Sequence, residues 1–208
     1  MPIGQRHQCA IYEGSADVHL PALAATAKMM LALNHRCLYL NSPEMIAKMR
    51  FQLDSFGVDV TGAIEKGGLV LSSDQDHLID QRFDVDAMLD SLDEMVIQSV
   101  RDGFAGLWAS GDMAWEFGEE KNFSKLMEYE YRLEELFERQ PALSGVCQYH
   151  CGTLPTEAIE WGLRTHRAVF INEQLSEVNP FYAPETLLTG WPPETPRIEL
   201  KAMFARCA

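Results

Sequence analysis

The residues with the most chemical potential are thiols and imidazoles. His7-x-Cys9 lies in an early apolar run, and Cys147-Gln148-Tyr149-His150-Cys151 lies in a later one. If the two runs are neighbouring strands, up to three cysteines and two histidines, His7, Cys9, Cys147, His150 and Cys151, could converge on a soft metal ion or act as a redox switch. Side chains alternate across a sheet, so Cys147, Tyr149 and Cys151 should share one face and Gln148 and His150 the other. A four-ligand site from this set would need the chain to turn at His150. Packing is the competing role, since buried cysteine behaves as a small hydrophobe. No cofactor is expected, and a metal ion is the one exception this set allows.

Phosphate chemistry is disfavoured at the first loop, Glu13-Gly14-Ser15-Ala16-Asp17-Val18-His19. A phosphate cradle needs glycines that let backbone amides approach and a lysine that reaches the terminal phosphates. This loop has no lysine, and Glu13 and Asp17 would repel phosphate. No Gly-x-Gly-x-x-Gly, Gly-x-Ser-x-Gly or Cys-His signature is present, so neither a dinucleotide site nor a nucleophilic triad is indicated. The chain is read as a non-enzyme.

Aromatic residues suggest a binding pocket. Trp108, Trp115, Tyr12 and Tyr149 fall in or just after strand candidates, and with Met113 they could wall a small apolar site whose mouth carries Glu13 and Asp112. Ordinary core packing is the alternative. Glu130 belongs with this set because the stripe Leu126, Tyr129, Leu133, Leu136, Phe137 turns it toward a buried helix face. A buried carboxylate must find partners or lose its charge. It either pairs with a cation such as Arg164 or lines the pocket. The candidate ligand-binding residues are therefore His7, Cys9, Tyr12, Glu13, Trp108, Asp112, Met113, Trp115, Glu130 and Tyr149.

The elements that must position these residues read as βαβαβαβαβαβ. Strand candidates are Gln8–Tyr12, Arg36–Leu40, Gly68–Ser72, Gly106–Ser110, Leu143–Tyr149 and Ala168–Ile171, nearly all apolar as a doubly covered parallel sheet requires. Helices are expected from Val18 to Leu33, with Pro21 in the first turn, from Ser42-Pro43, from Asp84 or Val85 to Arg101, from about Asn122 to Arg139, and from Pro155 to His166. The predicted fold is α/β: an open, mostly parallel sheet of about six strands with helices on both faces. In such a sheet ligands sit beyond the carboxyl ends of the strands. Residues 1–175 should form the domain. After Ile171 the pattern fails, and a proline-rich tail over 176–208, with a short helix near Ile198–Arg206, should pack on the domain or on a partner.

The 208 residues carry a net charge of −14, which argues against a nucleic-acid surface because phosphate affinity comes from Lys and Arg. The longest apolar stretches, such as Ala22–Leu33, fall short of the roughly 20 residues a membrane span needs. The N-terminus lacks the build of a signal peptide. Five cysteines form an odd set without disulfide-scaffold spacing, which fits a reduced, cytoplasmic setting.

Taken in order, His7-Gln8-Cys9-Ala10-Ile11-Tyr12-Glu13, Arg36-Cys37-Leu38-Tyr39, Gly111-Asp112-Met113-Ala114-Trp115, Tyr129-Glu130, Cys147-Gln148-Tyr149 and Leu163-Arg164-Thr165-His166 resemble the MEDS sensory domain over about residues 5–172. The resemblance implies a RecA/KaiC-like three-layer sandwich without a working phosphate loop. It also implies a role in prokaryotic signal transduction, sensing a small hydrocarbon derivative. Under a RecA-like order it further implies a first strand between or close to the fourth and fifth, with His7, Cys9, Trp108 and Cys147 near one another. The chain departs from the family at His150-Cys151, where relatives often carry an acidic residue. With no kinase motif and no basic recognition helix in these residues, the signal is expected to pass to a separate protein such as a histidine kinase or regulator, or through a homo-oligomer.

Overall fold

The computed structural model describes residues 6–15, 17–79, 82–114, 123–171 and 174–176. Trp115, the tail beyond Ser176 with its expected helix, and Cys207 lie outside the described residues.

Among the described residues, seven strands form one sheet: β1 (His7–Tyr12), β2 (Arg36–Asn41), β3 (Leu69–Ser73), β4 (Leu107–Asp112), β5 (Leu143–His150), β6 (Ala168–Ile171) and β7 (Gln174–Ser176). Their order is β3-β2-β4-β5-β1-β6-β7. All pairs are parallel except the short β6–β7 ladder. The sequence pattern did not reveal β7, three residues long and separated from β6 by only two. β4 pairs with β5 and β5 with β1, so β1 lies close to the fourth and fifth strands as expected, though flanked by β5 and β6 and not between β4 and β5.

Helices cover both faces, completing a three-layer sandwich. On one side lie α1 (Leu20–Ala32), α2 (Pro43–Ser55) and the one-and-a-half-turn α3 (Val60–Glu65). Their apolar residues Leu23, Ala27, Met49, Leu53 and Val60 pack on Ala10, Cys37, Tyr39, Trp108 and Val146. On the other side lie α4 (Val85–Arg101), α5 (Phe123–Arg139) and α6 (Thr156–Thr165). Here Leu89, Leu92, Leu133, Phe137 and Ile159 pack on Cys9, Ile11, Leu38, Leu40, Cys147 and Tyr149. The strands β1 to β6 thus send alternate residues into two separate cores, which is why their sequences are mostly apolar.

Local chemistry fixes the helix starts. Ser42 and Asp84 accept the backbone N–H groups of Met45 and Ala87, and Pro43 occupies the first turn of α2, where no intrahelical donor is lost. Asp59 caps α3 by accepting from Gly62 at 3.0 Å. Arg36 pins the entry of β2: its Nε donates to the Gly67 carbonyl at 2.7 Å, its Nη2 pairs with Asp102, and its guanidinium lies 4.8 Å from the centre of the Phe104 ring. Charged Arg36 is therefore held among partners at the sheet's end and not lost in the core.

Candidate functional site

A buried polar cluster lies between the sheet and α5–α6, and four elements supply it. His7 opens β1. Glu130 and Glu134 stand one turn apart on α5, on the flank of the stripe that buries Leu126, Leu133 and Phe137. Cys147 and Tyr149 project from β5 to the same face, as period-two alternation requires. His166 follows the last residue of α6, where the chain turns into β6. His7, Glu130, Cys147, Tyr149 and His166 are all buried, at 6% exposure or less.

The contacts are close. His7 donates from Nδ1 to Glu134 Oε2 at 2.6 Å, and its Nε2 lies 3.5 Å from Glu130 Oε2 and 3.6 Å from Cys147 Sγ. The other oxygen of Glu130, Oε1, accepts a short hydrogen bond from the Tyr149 hydroxyl. His166 Nε2 lies 3.5 Å from Glu130 Oε2, and its Nδ1 lies 2.8 Å from the Gly162 carbonyl oxygen. A carbonyl oxygen only accepts, so Nδ1 of His166 carries a proton. Phe137 stacks on the His7 ring at 4.4 Å and closes the cluster from the helix side.

Burial opposes charge on His7, yet hydrogen bonds and negative charge from Glu130 and Glu134 outweigh it and raise its pKa to about 9. For His166 burial prevails, reinforced by the neighbouring His7, and its pKa falls to about 4. Burial alone would protonate Glu130, but the adjacent imidazoles and the Tyr149 hydroxyl hold its carboxyl below the usual range. At neutral pH the cluster therefore holds an imidazolium, a neutral imidazole and an ionised carboxylate. One donor atom from each of His7, Glu130, Cys147 and His166 lies within 4.8 Å of all the others.

Beside this cluster, and sharing Cys147 with it, is a cavity of about 50 Å³. Leu38, Leu40 and Ala109 line it from the sheet, Met88 and Leu92 from α4, and Tyr129, Leu133 and Phe137 from α5; Met113 closes one end. Its walls are mostly apolar, with Ser110 and Cys147 among the lining residues.

The opposite face carries a second polar network. Gln148 Nε2 donates to Ser110 Oγ at 2.9 Å, and its Oε1 meets His19 Nε2 at 2.9 Å and accepts from Asn41 Nδ2 at 3.5 Å. Tyr12 lies against His19, ring centres 3.6 Å apart, and His150 stacks on Tyr12 at 5.0 Å. His150 Nε2 donates to the Gly14 carbonyl in the first loop at 2.9 Å. Burial pushes the pKa of His19 down to about 4.

The residues singled out in the sequence are thus divided. The structure brings His7, Cys9, Glu130, Tyr149 and Cys147 to one face, with Met113 at the cavity on that face. Tyr12, Trp108 and His150 stand on the opposite face, Glu13 is exposed in the first loop, and Asp112 is half-buried at the end of β4. Trp108 is therefore not beside His7, Cys9 and Cys147, because it alternates to the side of Cys37 and Val146. Of the proposed thiol–imidazole set, His7 and Cys147 come into contact, Cys9 pairs with Cys147 in strand register, and the sheet separates His150 from them. Burial raises the Cys9 thiol well above its ordinary pKa and lifts Cys151 to about 11. His166 is the residue that reasoning on motifs did not propose. No spacing or motif marked it, since only the turn from α6 into β6 brings its ring to this face.

A family model matches residues 6–167, more than three quarters of the chain, and its description is "MEthanogen/methylotroph, DcmR Sensory domain", MEDS. The chain belongs to the MEDS family. Among solved structures, the flagellar accessory protein FlaH from Methanocaldococcus jannaschii is similar to this MEDS chain in fold, with a TM-score of 0.54 at 13% identity over 83% of this chain and 75% of that one. That likeness supports the RecA/KaiC-like sandwich expected of a MEDS domain and nothing about its ligands. No curated protein matches. No described helix is long and apolar enough to cross a membrane.

Proposed function

We propose that this MEDS domain is a non-enzymatic sensory module that takes a small, mostly apolar molecule of one or two carbons into the cavity between the sheet and α4–α5. The cavity carries this reading. About 50 Å³ is a third of the roughly 150 Å³ that admits benzene, and well above the roughly 15 Å³ that a single water needs. It therefore favours molecules of about three heavy atoms, which agrees with the sensory role of the family. The first loop, with Glu13 and no lysine, supports a sheet of nucleotide-binding type put to another use.

The signal passes to a separate signalling protein, such as a histidine kinase or regulator, or to a second copy of this chain. A cytoplasmic setting fits five cysteines without the spacing of a disulfide scaffold.

A thermal-shift panel tests the reading: methanol, dichloromethane and chloromethane against 1-butanol and benzene. A ligand at a hundred times its Kd stabilises by about 2.7 kcal/mol. That corresponds to a rise of roughly 5–10 °C for a domain of this size. The small members should raise the Tm and the large ones should not, and Leu92→Phe, which fills the cavity, should abolish the rise. A flat response across the small members sinks the proposal.

A further inference from the structure

We propose that His7, Glu130, Cys147 and His166 together bind one late first-row divalent cation, zinc in the first place, in a four-coordinate site at the sheet face. The donor set is two imidazoles, one carboxylate and one thiolate, the mixed nitrogen, sulfur and oxygen set that suits zinc. Magnesium or calcium would call for oxygen donors throughout.

Spacing is the first argument. Metal–ligand bonds of about 2.0–2.3 Å at tetrahedral angles place neighbouring donor atoms about 3.4 Å apart. The separations are 3.5 Å for His7–Glu130, 3.5 Å for His166–Glu130, 3.6 Å for His7–Cys147 and 4.0 Å for Cys147–Glu130. Shifts of roughly half an ångström or less bring these four pairs to tetrahedral edges, and closing the remaining two, which lie within 4.8 Å, takes about an ångström at most.

The second argument is the orientation of the imidazoles. Both histidines turn Nε2 inward and engage Nδ1 with an outer acceptor, Glu134 for His7 and the Gly162 carbonyl for His166. This is the arrangement by which proteins fix the tautomer and raise the basicity of a metal-ligating histidine. Tyr149 does the same for the carboxylate by donating to the Glu130 oxygen that faces away from the histidines.

Economy is the third. A buried salt bridge between His7 and Glu130 would be complete with those two residues and Glu134. Beyond those three, a second imidazole lies 4.2 Å from the first, both rings fully enclosed, and a thiol lies 3.6 Å from His7 Nε2, so four donors converge on one point. A cation at the centre gives all four side chains one partner. Room for its approach exists, because the cavity reaches Cys147. The inference does not rest on the small-molecule reading.

Cobalt(II) titration of the reduced, chelator-stripped full chain decides the matter, with elemental analysis of protein purified without chelator beside it. The expected result is one equivalent of cobalt, a thiolate-to-cobalt charge-transfer band in the near ultraviolet, intense visible bands of a four-coordinate ion, and one-for-one displacement by zinc. Cys147→Ser should remove the charge-transfer band, and Glu134→Gln, which leaves all four ligands in place, should weaken binding roughly 10- to 100-fold. Cys37→Ser, on the opposite face of the sheet, should change neither. Wild-type protein that is folded by circular dichroism yet takes up no stoichiometric cobalt or zinc overturns the proposal. So does a charge-transfer band that survives Cys147→Ser.

Discussion

Glu130 is the residue on which the buried cluster turns, because two imidazoles and a phenol all direct polar atoms at one carboxylate that water does not reach. Removing its charge leaves the His7 imidazolium with only the half-buried Glu134 for compensation. In metal-free protein Glu130→Gln should cost about 3–5 kcal/mol, the range seen when one partner of a buried pair is lost, and urea melts will read it. A cost within 1 kcal/mol would mean that the cluster rearranges freely. On the other face, His19 titrates with the opposite consequence to a salt-bridged histidine. Its folded pKa of about 4 lies below the ordinary 6.5, so folding excludes the proton. Its contribution is complete above pH 6.5 and is lost as pH falls toward 4, by about 3 kcal/mol in all. His19→Leu should start from lower stability at pH 7 and lose less on acidification, so urea melts from pH 7 to pH 4 should bring the two proteins together. Equal acid slopes would contradict this. Glu130 was legible in the sequence, since its helical stripe turned it inward. His166 was not, because nothing in Arg164-Thr165-His166 tells which face of the sheet the chain meets as it leaves α6.

At the scale of elements, α4 shows how far local signals reach. Of the apolar stripe Val85, Met88, Leu89, Leu92, Met95 and Val96, all but the half-buried Met95 are buried, and the helix starts at Val85 with Asp84 as its cap. α3 escaped because a helix of six residues with Gly62 inside it is shorter than the window in which a period of 3.6 can be recognised. Strand neighbours were equally hidden, since the pairing of β1 with β5 joins residues about 140 positions apart. The approach of α6 to the sheet depends on one missing methyl group. A Cβ at Gly162 would lie 2.9 Å from the Tyr149 ring, with no flexible chain end to give way. Gly162→Ala gains helix propensity of up to about 1 kcal/mol, but it pushes α6 away from β5 at an overpacking cost of about 1–3 kcal/mol. A net loss of stability in denaturant, together with a changed near-ultraviolet dichroism of Tyr149, is expected. Stabilisation by this substitution would show that α6 can slide without penalty.

Over the whole molecule, two cores share one sheet, so neither can dissolve without exposing the other side of the same strands. The central strands β4, β5 and β1 are paired on both edges, whereas among the described strands β3 and β7 each have one neighbour. Hydrogen exchange should therefore be slowest at the amides of β4, β5 and β1 and clearly faster in β3 and β7. Early exchange in β5 would be incompatible with this layout. The same sharing has a genetic side. β5 directs Cys147 and Tyr149 into one core and Val146 and Gln148 into the other, so one codon inserted within it would move the strand by one residue against β4 and β1 and exchange the two sets. An amide would then enter the imidazole cluster, and a thiol would face His19 and Ser110. Point substitutions along β5 can be graded in effect, but a change of reading length there cannot, and lineages carrying this domain should accumulate their insertions in the loops and leave these eight residues uninterrupted.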